Sequence, residues 1–344
     1  MGVAKGIFIM DTHVYVQGGG QPGRPDNDTT VNALMYHMER YGVNMCLLKA
    51  TVGMSNQVNA DIVKKYPDKF IAICNDEMSQ KKSQAGEKAW NIDDAAKEID
   101  EWMATGQFAG IGEGLARDRT TGKKLLPWEE RLGQIAKLLE LGRKYKVPMV
   151  YHTGTPIAFR GHDNNRTRAH FETCDNGNPL LCHEVAEMFP DVPIILGHGG
   201  IEASGYFMED YDRCLNVAAS HNNVFLETGM WWTELYEKPL RDPNIGAKKL
   251  VWGSAWGQRN NYQTWAPGCI PETYNQNILE LQAQGPTEYL PDIWGWSLNQ
   301  LGRLNIPQED MNLILGGNAA WLYKVKTPLP YELMFKPVFR GFDW

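Results

Sequence analysis

The sequence predicts a (β/α)8 TIM barrel, a single domain over residues 1–344 with long loops at the C-terminal face of the barrel. Three observations carry this. Eight short apolar runs of strand character alternate with amphipathic helical stretches, the pattern of a parallel sheet covered by helices. Three of these runs deliver a histidine at or just past their C-terminal ends: Ile7-Phe8-Ile9-Met10-Asp11-Thr12-His13, Val147-Pro148-Met149-Val150-Tyr151-His152, and Val192-Pro193-Ile194-Ile195-Leu196-Gly197-His198. No G-x-G-x-x-G follows the first strand and no G-x-x-x-x-G-K-[ST] occurs, so nucleotide-binding open sheets lose ground to a closed barrel.

In chain order, the first strand is expected near Gly6–Met10. It leads into a glycine- and proline-rich loop, Tyr15 to Pro25, of the kind that lines an active site. A helix over Thr29–Tyr41 sets Val31, Leu34, Met35 and Met38 at helical spacing, and Met45–Lys49 is the second strand. Helix Ser55–Tyr66 and strand Phe70–Cys74 follow. Asn91 then opens a helix to Met103 with Ile92, Ala95, Ile99 and Met103 on one face. Strand Phe108–Gly112 runs into Glu113, and the long helix Trp128–Tyr145 precedes the strand that ends at His152.

A polar loop from Thr153 to Pro179 holds Arg160, His162, Arg166, Arg168 and His170, and loops of that length inside a domain are commonly functional. Helix Leu180–Phe189, the strand ending at His198, helix Phe207–Ser220 and strands Val224–Leu226 and Leu250–Gly253 complete the barrel. An inserted loop region at about 256–292, helices Ile293–Leu304 and Asp310–Tyr323, and a C-terminal arm at about 327–344 close the chain.

With 43% hydrophobic and 22% charged residues the chain is an ordinary globular protein with ample core. A formal charge of -7 and the lack of a dense basic run exclude a nucleic-acid binder. The six cysteines form no C-x-x-C pair, which sets aside a zinc knuckle or a thioredoxin-like motif. With no apolar run of membrane-spanning length and no leader pattern, the expectation is a cytoplasmic protein with reduced thiols and no membrane partner.

In a barrel the C-terminal strand ends share one mouth, so Asp11, His13, Glu113, His152, His198 and Glu227 are expected around one cavity. A lone histidine in an apolar run is more often a satisfied core residue. Two at successive strand ends, each followed closely by glycine, shift the balance to function. Residues two apart on a strand share a face, so Asp11 and His13 are expected to converge, a pairing that suits zinc or manganese. Otherwise Asp11 caps the following loop.

The guanidinium forks of Arg160, Arg166 and Arg168 match a carboxylate, although each alone also fits a solvated loop. Trp231, Trp232, Trp252, Trp256, Trp294 and Trp296 either stack a flat substrate or pack the insertion.

These residues resemble the amidohydrolase superfamily, in the branch of aminocarboxymuconate-semialdehyde decarboxylase and the resorcylate-type decarboxylases. The matching pieces are Met10-Asp11-Thr12-His13, Tyr151-His152-Thr153, Gly197-His198-Gly199-Gly200, Trp252-Gly253-Ser254-Ala255-Trp256 and Leu315-Gly316-Gly317-Asn318-Ala319-Ala320-Trp321. The resemblance implies a divalent metal, zinc or manganese, on Asp11, His13 and His152, with His198 as the catalytic histidine beside it. Tyr15, Arg160, Arg166, Arg168 and Trp256 are expected on a small carboxylated substrate, and the resemblance implies a homodimer.

Two positions depart from the pattern. Tyr15 stands where a second histidine is usual, and Ala255 stands where the family carries an aspartate; alanine neither ligates a metal nor moves a proton. Either the enzyme dispenses with a tightly held metal, as related pyrone-dicarboxylate lactonases do, or Ala255 is an inactivating change from aspartate. The resemblance favours non-oxidative decarboxylation of a cyclic or aromatic acid. Hydrolysis of a lactone, ester or amide is the alternative, and a catalytically idle barrel is a third.

Overall fold

The structure is a computed structural model. It describes residues 7–16, 27–50, 55–114, 126–153, 177–201, 208–229, 231–255 and 293–327. Eight parallel strands run in sequence order around the barrel: β1 (Met10–Val14), β2 (Met45–Lys49), β3 (Phe70–Cys74), β4 (Gly110–Gly114), β5 (Met149–His152), β6 (Ile194–Gly197), β7 (Val224–Glu227) and β8 (Leu250–Val251). The last strand meets the first where the Thr12 amide and hydroxyl both donate to the Trp252 carbonyl, at 3.1 and 2.8 Å.

Alternation along each strand divides the core in two. Phe8, Met10, Met45, Leu47, Ile73, Val150, Ile195, Phe225 and Val251 fill the barrel interior, and Ala319 and Leu322 of the C-terminal helix Asn318–Leu322, with Tyr323 just after it, pack against that layer. Residues of opposite parity, such as Cys46, Leu48, Tyr151 and Leu196, face the surrounding helices.

Helix α1 (Asn27–Tyr41) buries Val31, Leu34 and Met38. Helices α2 (Asn56–Lys65) and α3 (Glu77–Gln84) lead to α4 (Ile92–Ala104). The Asn91 side chain caps α4 by accepting from the Asp94 amide at 2.9 Å. Helices α5 (Trp128–Tyr145), α6 (Leu181–Met188) and α7 (Glu209–Ser220) fall within two residues of the expected spans.

Two differences bear on the site. Strand β1 begins at Met10 rather than Gly6, so His13 lies within the strand. Its register with β2 also slips between Asp11 and Val14. Before the slip Met10 faces inward and Ile9 outward; after it Val14 and Val16 face outward. The bulge therefore turns His13 and Tyr15 into the barrel while Asp11 stays with the outer set. The expectation that Asp11 and His13 share a face is corrected here, because strict alternation does not survive a bulge.

The second difference is α3, whose Glu77-Met78-Ser79-Gln80-Lys81-Lys82 run has too little apolar periodicity to announce a helix. Among the described residues no helix is long and apolar enough to cross a membrane. The Gly-rich loop from Gln17, most of the polar loop 153–179, the insertion 256–292 and the arm beyond Thr327 lie outside the described residues.

Candidate active site

The interior row of β2 reads Met45, Leu47, Lys49, so the third inward position, at the C-terminal end of the strand, is a lysine with 0% exposure. Its ammonium donates to Glu227 Oε2 at 2.8 Å and to Glu113 Oε1 at 3.0 Å, and it lies 2.8 Å from His13 Nδ1. Lys49 was not among the residues singled out from sequence, although its inward parity was readable there.

His13 sits at the centre of the cluster. Its Nδ1 is 2.6 Å from Glu227 Oε1, and its Nε2 is 2.7 Å from the Tyr15 hydroxyl. Tyr15 in turn donates to Glu113 Oε2 at 2.8 Å, so His13 Nε2 carries the proton it gives to Tyr15. Nδ1 stands between Lys49 Nζ and Glu227 Oε1, and a single ring nitrogen can bond to only one of them at a time. The rings of His13 and His198 lie 4.6 Å apart, and those of His198 and His152 4.9 Å apart. Three imidazoles distant in sequence therefore meet in one place. His152, 7% exposed, and Glu113, with 8% of its side chain exposed, are the most accessible members of the cluster.

The charges are set by this packing. Burial raises the pKa of Glu227, but His13 and Lys49 more than offset it and hold the carboxyl well below the usual range. Glu113 follows the same logic, with Lys49 and then His13 outweighing desolvation. Burial lowers the pKa of Lys49, yet Glu113 and Glu227 keep the ammonium charged. His198 is pushed well below its ordinary value by burial and then by His13 and His152, so its imidazole is neutral. Its Nδ1 is buried without a hydrogen-bond partner among the described residues.

Local backbone places these groups. His198 adopts φ +62° and opens a tight turn with Gly199 and Gly200 at φ +52° and +82°. That left-handed conformation is costly for most residues and is a feature of functional sites. The turn rests on Trp231, whose indole donates to the His198 carbonyl at 3.0 Å.

Glycine is needed at 253 for a different reason: a Cβ there would lie 2.8 Å from Glu227 Oε1 and 2.9 Å from His13 Cβ. The Gly253→Ala variant is expected to remain folded and to lose about 10- to 100-fold in kcat/KM, because His13 cannot yield without moving β1. Circular dichroism and steady-state kinetics check both halves.

Asp11 stands outside this cluster. Its carboxylate accepts from the amides of His13 and Ser254, at 2.9 and 3.1 Å, from the Ser254 hydroxyl and from the Trp294 indole. Burial raises its pKa to about 6, against the pull of the bond to Ser254. Ala255 is buried at φ +59°, a conformation aspartate and asparagine tolerate better than alanine. Trp231, Trp252 and Trp294 are fully buried packing residues rather than a stacking surface. Arg160, Arg166, Arg168 and Trp256 lie outside the described residues.

Ligand atoms of His13, His198 and Glu227 lie within 4.8 Å of one another, the one buried group of this kind among the described residues. Such a set is the start of a divalent site. Yet Lys49 already stands 2.8 Å from both Glu227 and His13. A divalent ion about 4 Å from that ammonium meets a repulsion of roughly 8 kcal/mol at an effective dielectric of about 20. With Asp11 held by four donors and alanine at 255, the residues present do not fit the metal that the resemblance implies.

A nearly closed parallel barrel with imidazoles and carboxylates gathered at the C-terminal ends of its strands defines an enzyme of the TIM-barrel class. The sequence profile of the amidohydrolase family Amidohydro_2 matches residues 88–325, and the chain belongs to that family. Members of the family usually bind a divalent metal.

Among solved structures, an uncharacterized TIM-barrel protein from Bordetella bronchiseptica superposes with a TM-score of 0.56 at 17% identity, covering 92% of this chain and 99% of its own. A probable 2-pyrone-4,6-dicarboxylic acid hydrolase from Acinetobacter baumannii, with citric acid bound, gives 0.51 at 14% identity over the same shares. At such identities the likeness is one of fold. No curated protein sequence matches the chain.

Proposed function

We propose that the chain is a hydrolase that opens a lactone, ester or amide bond in a small carboxylate-bearing substrate, with His198 and His152 handling the proton taken from water. The observation that carries this reading is the site's proton inventory. Lys49 donates its protons to Glu113 and Glu227, Tyr15 donates its proton to Glu113, and burial disfavours the charged form of His198, whose Nδ1 has no partner among the described residues. A site in this state takes protons, as water activation requires. Decarboxylation needs the reverse, an acid that holds a proton at rest and delivers it to carbon.

In the hydrolytic step water oxygen bonds to the substrate carbonyl carbon while its proton passes to an imidazole. The bond to the leaving oxygen or nitrogen then breaks, and the imidazolium returns the proton to it. Tyr15 and Lys49 position His13, Glu113 and Glu227 around the attack. The carboxylate preference rests on Arg160, Arg166 and Arg168, as expected from sequence.

The test is turnover in oxygen-18 water with a panel holding 2-pyrone-4,6-dicarboxylate, simple carboxylated lactones and hydroxybenzoates. Oxygen-18 in the new product carboxylate without carbon dioxide release is the expected result. Carbon dioxide released from a hydroxybenzoate would replace this reading with decarboxylation.

A further inference from the structure

We propose that the Lys49 ammonium takes the place of the divalent metal usual in this family, so that the site runs on an internal organic cation and admits a metal only when Lys49 is removed. The case is geometric. Lys49 is fully buried at the inward C-terminal position of β2, donates to both carboxylates and has His13 Nδ1 2.8 Å away. Those three neighbours, two carboxylates and an imidazole, are the donor types that hold a hard or borderline cation. Two of the three, His13 and Glu227, belong to the buried group whose ligand atoms converge.

The residues from which a metal would otherwise draw support are engaged elsewhere or missing. Asp11 is held by Ser254, Trp294 and the His13 amide, and Ala255 has no donor atom. The cradle of the cation is nonetheless built with care: a Cβ on Gly229 or on Gly253 would come within 2.7 or 2.8 Å of Glu227 Oε1. Glu227 is thus fixed between two backbone segments, with its other oxygen on Lys49. A singly charged ammonium orders its neighbours but offers no open coordination position. Lys49 is accordingly a positioning residue, and this holds whichever bond the enzyme cleaves.

The test counts metal rather than turnover. A surface group, His183, Glu187 and His221, also has converging ligand atoms, so every protein carries His183→Ala to remove its contribution. Each is incubated with excess zinc, desalted and measured by inductively coupled plasma mass spectrometry.

The otherwise unaltered protein is expected to retain no more zinc than its His198→Asn derivative, asparagine being the residue that tolerates the backbone there. Lys49→Ala is expected to gain at least about a hundredfold in zinc affinity, and Lys49→Ala with His198→Asn to lose that gain. Zinc retained by the unaltered protein and released by His198→Asn would overturn the proposal. So would a folded Lys49→Ala protein that takes up none.

Should Lys49→Ala fail to fold, Lys49→Met keeps the packing and removes the charge. Zinc is then expected to raise the melting temperature of the Met variant and leave that of the parent unchanged. The opposite pattern, or no shift in either, overturns it.

Discussion

Replacing His198 with asparagine is expected to lower kcat and kcat/KM together by about 10²- to 10⁴-fold while KM and stability stay near their parent values. Asparagine is the informative choice because position 198 has φ +62°, a conformation that asparagine tolerates and alanine does not. The bond from the Trp231 indole goes to the backbone carbonyl, so it survives the substitution. The imidazole Nδ1 has no partner among the described residues, so little bonding is lost with it.

A matching pH profile is expected. Burial, then His13 and His152, holds His198 below its ordinary value of 6.5, so the base form persists as the pH falls through 6.5. The parent rate should remain flat there and decline only at lower pH. A variant with less than about a threefold loss, or an acid limb centred at the ordinary histidine value, would remove His198 from the proton-transfer step.

Much of this site could be read before any coordinates, for reasons that differ by residue. His152 and His198 were legible because regular strands end in them: β5 and β6 pair in register from Met149 with Ile194 to His152 with Gly197, so alternation and strand ends can be counted. The same count on β2 marks Lys49 as an inward residue beyond Met45 and Leu47. It went unread because a lysine after apolar residues looks like the solvated end of a strand.

Asp11 failed for the opposite reason. Counting was applied across a bulge, which the sequence Asp11-Thr12-His13-Val14 does not announce. Glu113 was placed at a strand end, but it is the register shift between Ile111 and Gly114 that accompanies its entry into the cluster. Local pattern therefore fixes the barrel and its regular strands. The polar centre depends on long-range pairing, such as Lys49 with Glu227 across 178 residues, which no window of sequence contains.

The Glu227→Gln variant is expected to cost about 3–5 kcal/mol of stability at neutral pH, because it removes one anion from a buried ion cluster and leaves Lys49 with Glu113 alone. The pH dependence separates loss of charge from loss of shape. Glu227 has a folded-state pKa depressed below its ordinary 4.5, so its contribution is fully present above 4.5 and is lost as the pH falls towards the folded-state value. The parent should therefore lose stability through the acid range faster than the variant, and the two denaturation midpoints should converge there.

Lys49 works at the other extreme. Its folded-state pKa is raised above the ordinary 10.5, so its contribution persists through neutral pH and is lost only as the pH rises past that raised value. Urea titrations across the acid range would decide the matter. Two parallel curves, offset by a constant amount, would mean that the carboxamide fails by shape alone and that the ion cluster contributes no net charge stabilisation.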